Sequence, residues 1–228
     1  MWCLVIPQGW SQNVVQDSAV AHSWDNTGMG LIWQNPLPVT LTGVAIVTGA
    51  SPLVLEPMRR QNLIIREEVQ MWRRNTFDHR PMHFDNFIQF APISAVMLLD
   101  ILGVPSRHSN WPLFRRSATT MIVTMAVTQS MKHTIYELRP DRSASNSFPS
   151  GHTAFAFSGA ELLRLEYQET SVWIPVAGFA LATLTGFMRI YNDRHWAGDV
   201  LAGAGIGLLT ADFSYWLNDW MDRKVWKR

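Results

Sequence analysis

Cysteine is almost absent: the 228 residues contain one, Cys3. An internal disulfide framework and a cysteine-rich zinc site are therefore excluded. Charge is scarce too, at 16% of residues, well below the roughly 25% of an average soluble domain. The formal net charge of +1 excludes a general nucleic-acid binder, which needs a strong basic excess. Period-two alternation and Asn-Gly hairpin turns are missing, which argues against a sheet. Internal repeats and low-complexity tracts are missing as well. What is plentiful is apolar surface, at 47% of residues, and tryptophan, with eleven copies. Tryptophan is enriched where a protein meets both apolar and wet surroundings, as at a membrane interface.

Nowhere is there an unbroken run of about 20 apolar residues, the length of a bilayer span. Stretches 31–55, 86–99, 117–131, 171–188 and 200–211 are nevertheless free of charged residues, and 148–160 adds a sixth. Stretch 171–188 qualifies as a span by itself. The others qualify if their polar ends reach the headgroups or face neighbouring helices. The resulting expectation is an all-α helical bundle, integral to a membrane with about five or six spans. The alternative is a soluble bundle with thick buried helices. Gly203 and Gly207 form a small-x-x-x-small pair, which lets helices approach closely and marks packing rather than chemistry.

Residues 1–35 read as a weakly patterned N-terminal segment. Its first dozen residues resemble a signal remnant but lack a basic n-region. Residues 36–228 read as one helical domain. Between 58 and 74, Ile65, Val69 and Trp72 share a helix face while Arg59, Arg60, Arg66, Arg73 and Arg74 crowd the rest. That pattern suits an amphipathic helix lying on a membrane surface, or a solvated surface helix. Polar links follow at 103–111, 137–149, 166–170 and 189–194. The second is the longest, and a long polar loop between helices is a natural place for function.

Three clusters carry chemistry. Lys132 and Arg139 stand two helical turns apart at the end of an apolar helix closed by Pro140, so both cations are expected on one face. A cationic helix C-terminus is the plainer reading. Pro149-Ser150-Gly151-His152 sits where a helix begins. Free backbone N–H groups there point at an anion, Gly lets the backbone come close, and His152 in the first turn can give a proton to a departing oxygen. The plainer reading is a serine N-cap followed by an incidental histidine. Arg189, His195 and Asp199 form the third cluster. A carboxylate at i+4 from a histidine can fix its tautomer and leave the other nitrogen free to attack. The plainer reading is a surface His–Asp pair. Taken together, Lys132, Arg139 and Arg189 supply cations, the helix start supplies an anion site, and the two histidines have different neighbours. Cleaving a phosphate monoester requires that set, and neither a metal nor another cofactor is called for.

The order Lys-x6-Arg-Pro, Pro-Ser-Gly-His, Arg-x5-His-x3-Asp over residues 132–199 resembles the three-part signature of the type-2 phosphatidic acid phosphatase family. Soluble bacterial class A acid phosphatases and vanadium haloperoxidases belong to the same superfamily. Met188 is a departure, standing before Arg189 where the family usually has Ser or Gly; one hydroxyl donor is lost and Arg189 is kept. The resemblance implies an all-helical fold and one phosphatase domain over 36–228. It implies a phosphohistidine on His195, an orienting role for Asp199, and a role for His152 as acid and then base for water. Lys132, Arg139, Ser150, Gly151 and Arg189 would hold the phosphate.

If the apolar stretches span a bilayer, Lys132, His152 and His195 share one side. Arg107, Arg115, Arg116 and the basic tail of Arg223, Lys224, Lys227 and Arg228 fall on the other. Positive residues favour the cytoplasm, so the expected location is a bacterial-type inner membrane with the active site on the periplasmic side. Segment 58–80, with six arginines including Arg80, then lies on the outer side, where it would recruit anionic headgroups. The expected substrate is a lipid phosphate monoester or diphosphate: phosphatidic acid, phosphatidylglycerol phosphate, a polyprenyl diphosphate or a lipid A phosphate. The alternatives are a soluble periplasmic acid phosphatase acting on small phosphomonoesters and, less favoured by the short chain, a vanadium haloperoxidase.

Overall fold

The computed structural model describes residues 56–77, 82, 84–108 and 110–224, the first ten by backbone alone. Segment 1–35 with its signal-like start, the charge-free stretch 31–55, Arg80, Lys227 and Arg228 lie outside the described residues, as do the side chains of Arg59 and Arg60. Among the described residues the elements are helices: α1 (Glu56–Thr76), α2 (Asp85–Ile88), α3 (Ala91–Ile101), α4 (Trp111–Thr134), α5 (Gly151–Tyr167), α6 (Trp173–Tyr191) and α7 (Ala197–Lys224). One isolated bridge, between Glu137 and Asn146, is the strand-like pairing present. The all-α expectation holds, and α3 to α7 each overlap a charge-free stretch.

Local chemistry sets the helix ends. Helices α3 and α4 each carry a proline in the first turn, where its missing N–H costs nothing. Ser150 caps α5, accepting from the Thr153 N–H, which satisfies one of the donors a helix start leaves free. Beyond α6 the chain turns at Asp193, with φ of 54°, a left-handed conformation that Asp tolerates better than most residues.

Helix α5 is central and packs against α3, α4, α6 and α7. Its seam with α7 depends on missing side chains. A Cβ at Gly207 would run into the Ala154 carbonyl oxygen and stand 2.9 Å from the Ser158 nitrogen. A Cβ at Gly203 would stand 2.5 Å from the Ser150 carbonyl oxygen. Close approach through small residues drives helix association in lipid, where burial of apolar surface gives little. A bond between the Thr124 and Thr210 hydroxyls at 2.7 Å joins α4 to α7 in the same way.

Helix direction sorts the charges. Lys132 at the end of α4, His152 at the start of α5, Arg189 at the end of α6 and Asp199 at the start of α7 come to one end of the bundle. Arg115 and Arg116 begin α4 at the other end. There they are paired: Arg115 with Asp222, and Arg116 with Asp219 and, at 3.2 Å, Asp222. Part of the basic surface expected at that end is therefore neutralised by α7.

Among the described residues two helices, Trp173–Tyr191 and Ala197–Lys224, are long and apolar enough to cross a membrane by length and composition. Leu98, Ile101, Ile122, Leu184, Leu209 and Phe213 point outward, exposed, from α3, α4, α6 and α7. Helix α1 is present where an amphipathic helix was expected, but its arginines do not form one free face. Arg66 and Arg73 are buried. Arg73 Nε donates to the Tyr191 carbonyl at 2.7 Å and its Nη1 to Asp193 at 2.6 Å. Arg66 donates to Glu137 at 2.6 Å. Guanidinium forks fit the carbonyl and carboxylate oxygens that end loops leave unpaired, so these two residues brace the bundle instead of meeting headgroups. Arg74 stays exposed.

Gly207→Leu should separate α5 from α7. Overpacking of a tight seam costs about 1–3 kcal/mol, and each kcal/mol lowers Tm by roughly 2–4 °C in a chain of this size. A thermal melt in detergent checks this. A Tm within 1 °C of the parent's would refute the tight seam.

Candidate active site

A cavity of about 300 Å³ opens at the end of the bundle where the motif residues meet. Its walls include Lys132, Arg139, Gly151, His152, Arg189 and His195. These residues come from α4, the loop 135–150, α5, α6 and the loop 192–196, so five parts of the chain build one site. Gln89 from the α2–α3 turn, Thr128, Gln129, Asn146 and Phe155 complete the wall.

His195 precedes α7 instead of sitting on it, and the helix starts at Ala197. Its Nδ1 lies 2.6 Å from the Ser147 carbonyl oxygen. A carbonyl only accepts, so Nδ1 carries the proton and Nε2 keeps its lone pair. Asp199 Oδ2 stands 3.7 Å from Nδ1, beyond hydrogen-bonding distance. The tautomer is therefore set by a backbone carbonyl, with the carboxylate as a near neighbour. Asp199 Oδ2 accepts from the Trp196 N–H at 2.9 Å and from the Ser147 hydroxyl. The first contact is half of a capping box at the start of α7. Through the second, Asp199 holds Ser147, whose carbonyl holds His195.

Lys132 and Arg139 reach the cavity by a different route from the one their spacing suggested. Helix α4 stops at Thr134 and Ile135 is already extended, so the two do not share a helix face. Pro140 and the polar residues that follow cannot continue the helix. The chain instead folds back, with Arg139 N–H donating to Ala144 O at 3.0 Å and Ser147 N–H to Glu137 O at 2.9 Å. Lys132 Nζ donates to Asn146 O at 2.7 Å. Trp196 Nε1 donates to Leu138 O at 2.8 Å, and Arg194 meets Asp141 at 3.2 Å. These bonds pin the loop of Arg139 to the loop of His195.

Arg189 donates through Nη1 to Asp85, which is buried. Asn192 Nδ2 reaches the same carboxylate at 3.2 Å and also bonds the Met82 backbone in both directions, at 2.7 Å and 2.9 Å. The Arg189 and Arg139 Nε atoms are buried and have no hydrogen-bond partner among the described residues. A buried guanidinium N–H without an acceptor is costly, and both residues line the cavity. Helix α5 adds donors. Its first intrahelical bond is Ala154 N–H to Ser150 O at 3.0 Å, which leaves the Gly151 and His152 amides ahead of it. Ser150 itself is buried, its hydroxyl 2.8 Å from that of Thr153 and its N–H on Asp199 O at 3.0 Å. It shapes the helix start, and its hydroxyl does not line the cavity. His152 Nε2 lies 3.0 Å from Asn86 Oδ1.

The motif thus converges as expected for Lys132, Arg139, Gly151, His152, Arg189, His195 and Asp199. Asp85, Asn86, Ser147 and Arg66 were not foreseen. Asp85 and Asn86 begin an apolar stretch, and Ser147 is one polar residue among many in its loop. No spacing rule singles them out.

Burial pulls the His195 imidazole down to about 4. Asp199 opposes that fall, while Arg189 and Lys132 add to it. The unfolded chain takes up this proton near pH 6.5, and the folded chain only near pH 4. Between those values the unfolded state binds more protons, so stability falls as pH falls through this window. Unfolding in detergent at pH 4 to 7 should show that slope, and His195→Gln should flatten it. An unchanged slope in the variant would mean that His195 is not buried neutral.

Comparison with known proteins adds four findings. The family model described as PAP2 superfamily matches residues 115–223. A lipid A 1-phosphatase of Porphyromonas gingivalis is 41% identical over 136 residues, covering 59% of this chain and 31% of that protein. A lipid A 1-phosphatase of Helicobacter pylori is 30% identical over 138 residues, covering 58% of this chain and 67% of that protein. The chain therefore spans under a third of the first relative's length. The solved structure of Aquifex aeolicus LpxE superposes with a TM-score of 0.53 at 22% identity, over 66% of this chain and 94% of that one. That likeness concerns the fold.

Proposed function

The chain belongs to the PAP2 superfamily, and from that premise we propose that it is a membrane phosphatase that hydrolyses a lipid phosphate ester through a phosphohistidine on His195. The observation that carries this reading is the tautomer of His195. With Nδ1–H held by the Ser147 carbonyl, the lone pair on Nε2 is available to the cavity. Around it stand three cations and two free helix amides, which suit the oxygens of a phosphoryl group.

In the first step Nε2 attacks phosphorus and the bond to the lipid oxygen breaks. Protonated His152 passes its proton to that oxygen as the lipid alcohol or phosphate leaves. In the second step His152, now neutral, takes a proton from water. The hydroxide attacks phosphorus, the P–N bond breaks, and inorganic phosphate departs. Lys132, Arg139 and Arg189 neutralise the phosphoryl oxygens in both steps, so the chemistry runs without a metal. Asp199 acts on His195 through Ser147 and through its charge.

The reading extends to topology. Helices α3 to α7 form the bundle of the five- or six-span protein that the charge-free stretches lead us to expect. The outward leucines, isoleucines and phenylalanine support contact with lipid rather than a soluble bundle. The site lies on the periplasmic side of an inner membrane. Arg107, Arg223 and Lys224 at the opposite end support that side, with less weight than the sequence count suggests because Arg115 and Arg116 are paired. Two relatives bear the name lipid A 1-phosphatase, so a phosphorylated lipid A is the first substrate to try. A polyprenyl diphosphate and phosphatidic acid follow.

The test is phosphate release by the purified, detergent-solubilised chain from those lipids and from a small soluble ester. Release from a lipid is expected, with His195→Ala below about a tenth of the parent rate, a barrier increase above about 1.4 kcal/mol. A variant retaining more than that removes His195 as nucleophile. Preference for the small ester would favour the soluble acid-phosphatase reading. Activity should also survive a chelator and be inhibited by vanadate, which mimics the phosphorus centre. Loss of activity in chelator that magnesium restores would overturn the metal-free step.

A further inference from the structure

Arg66 lies outside the matched residues 115–223, yet its side chain ends beside the His195–Asp199 pair. It is 8% exposed. Nη1 donates to Glu137 Oε1 at 2.6 Å. Nη2 stands 3.9 Å from Asp199 Oδ1. The guanidinium carbon is 5.4 Å from the centre of the Trp196 ring, within cation–π range. Asp199 is fully buried, and its two oxygens live differently. Oδ2 takes the Trp196 N–H and the Ser147 hydroxyl. Oδ1 is buried without a hydrogen-bond partner among the described residues, and Arg66 is the one arginine or lysine within 4 Å of it among them.

We infer that Arg66 is a positioning residue for the nucleophile: it is the counter-ion of Asp199 Oδ1, and through Glu137 and Trp196 it ties together the loops that carry Ser147 and His195. The inference rests on the phosphatase reading above. A buried carboxylate with no cation draws positive charge from wherever it can. Here the nearest source is a proton on His195, which would pin the Nε2 lone pair and stop the attack. Arg66 supplies the charge instead and leaves His195 neutral.

The groups facing the pair make the sign of the effect definite. Lys132 from α4, Arg139 from the loop, His152 from α5 and Arg189 from α6 all resist protonation of His195, while Asp199 favours it, and Glu137 favours it from further away. Removing Arg66 makes the local field more negative. His195 then protonates at a higher pH, and the acid limb of kcat/KM, which reports the free enzyme, moves upward. Removing the Glu137 charge moves it downward. An opposite charge within about 4–6 Å shifts a group by about 1–3 pH units. Arg66 acts one step away from His195, so a shift of about half a unit or more is expected.

The experiment records pH–rate profiles of the purified full chain on the lipid phosphate it hydrolyses best. Arg66→Gln should raise the acid limb by about half a unit or more and lower kcat with little change in KM. Arg66→Lys should return the limb to its parent position with partial recovery of kcat. Glu137→Gln should move the limb to lower pH. A purely structural role would lower the rate equally at all pH values, and an unmoved limb in Arg66→Gln overturns the inference. Should Arg66→Gln fail to fold, Glu137→Gln decides, and a limb that stays or rises there overturns it equally. Parent protein that releases no phosphate from any lipid sinks the phosphatase reading together with this inference. Parent turnover with unmoved limbs sinks the inference alone.

Discussion

The site depends on how closely α5 and α7 approach. Ser150 N–H reaches the Asp199 carbonyl at 3.0 Å only because α7 carries no side chain at Gly203, where a Cβ would meet the Ser150 carbonyl. That contact sets two helix N-termini side by side. One offers the Gly151 and His152 amides to an anion. The other, through Asp199, organises the turn that presents His195. A wider seam would separate the α5 amides from His195 even with every motif residue in place. Membranes favour such a seam, since helix association in lipid rests on packing and polar bonds more than on apolar burial.

Charge in the site is arranged in opposition. Three cations face one small cavity, and each is restrained elsewhere: Lys132 by the Asn146 carbonyl, Arg189 by Asp85, and the Arg139 loop by Asp193 O, which accepts the Asp141 N–H. Restraint of this kind lowers reorganisation when charge develops on an oxyanion. Breaking a buried ion pair such as Arg189–Asp85 leaves an uncompensated charge, at a cost of about 3–5 kcal/mol. The pair therefore couples the stability of the α2 segment to the position of Arg189 in the cavity wall. Arg66, Arg73, Asp85 and Asn86, all outside residues 115–223, act on this framework of charges and loop ends.

Helix α1 shows how one composition serves two purposes. Its arginine-rich face fits a membrane surface in outline, and Arg74 remains free to act there. Two of its arginines instead close the open end of the bundle. Glu137 and Asp193 in loops 135–150 and 192–196, with the Tyr191 carbonyl at the end of α6, accept from Arg66 and Arg73, planar and multiply donating groups. Rigidity in those loops matters because they carry Arg139 and His195.

The helical periodicity, the charge-free stretches and the residue types at helix ends were legible in the chain itself. So were the cations, the histidines and the anion-binding helix start, because each depends on local chemistry: a cap, a proline, a free amide. Tertiary structure decided what those groups touch. Lys132 and Arg139 converge through a folded-back loop and not along one helix face, since the chain beyond Thr134 cannot stay helical. His195 takes its tautomer from the Ser147 carbonyl, 48 residues away, although the Asp199 carboxylate stands one helical turn away in sequence. Ser150 spends its hydroxyl on Thr153. Asp85 and Arg189 meet across 104 residues, and Arg66 and Glu137 across 71. No periodicity or spacing encodes such pairs, because they arise where helices of fixed length and direction end together. Sequence alone determined the elements and the chemical inventory, and packing determined which donor faces which acceptor.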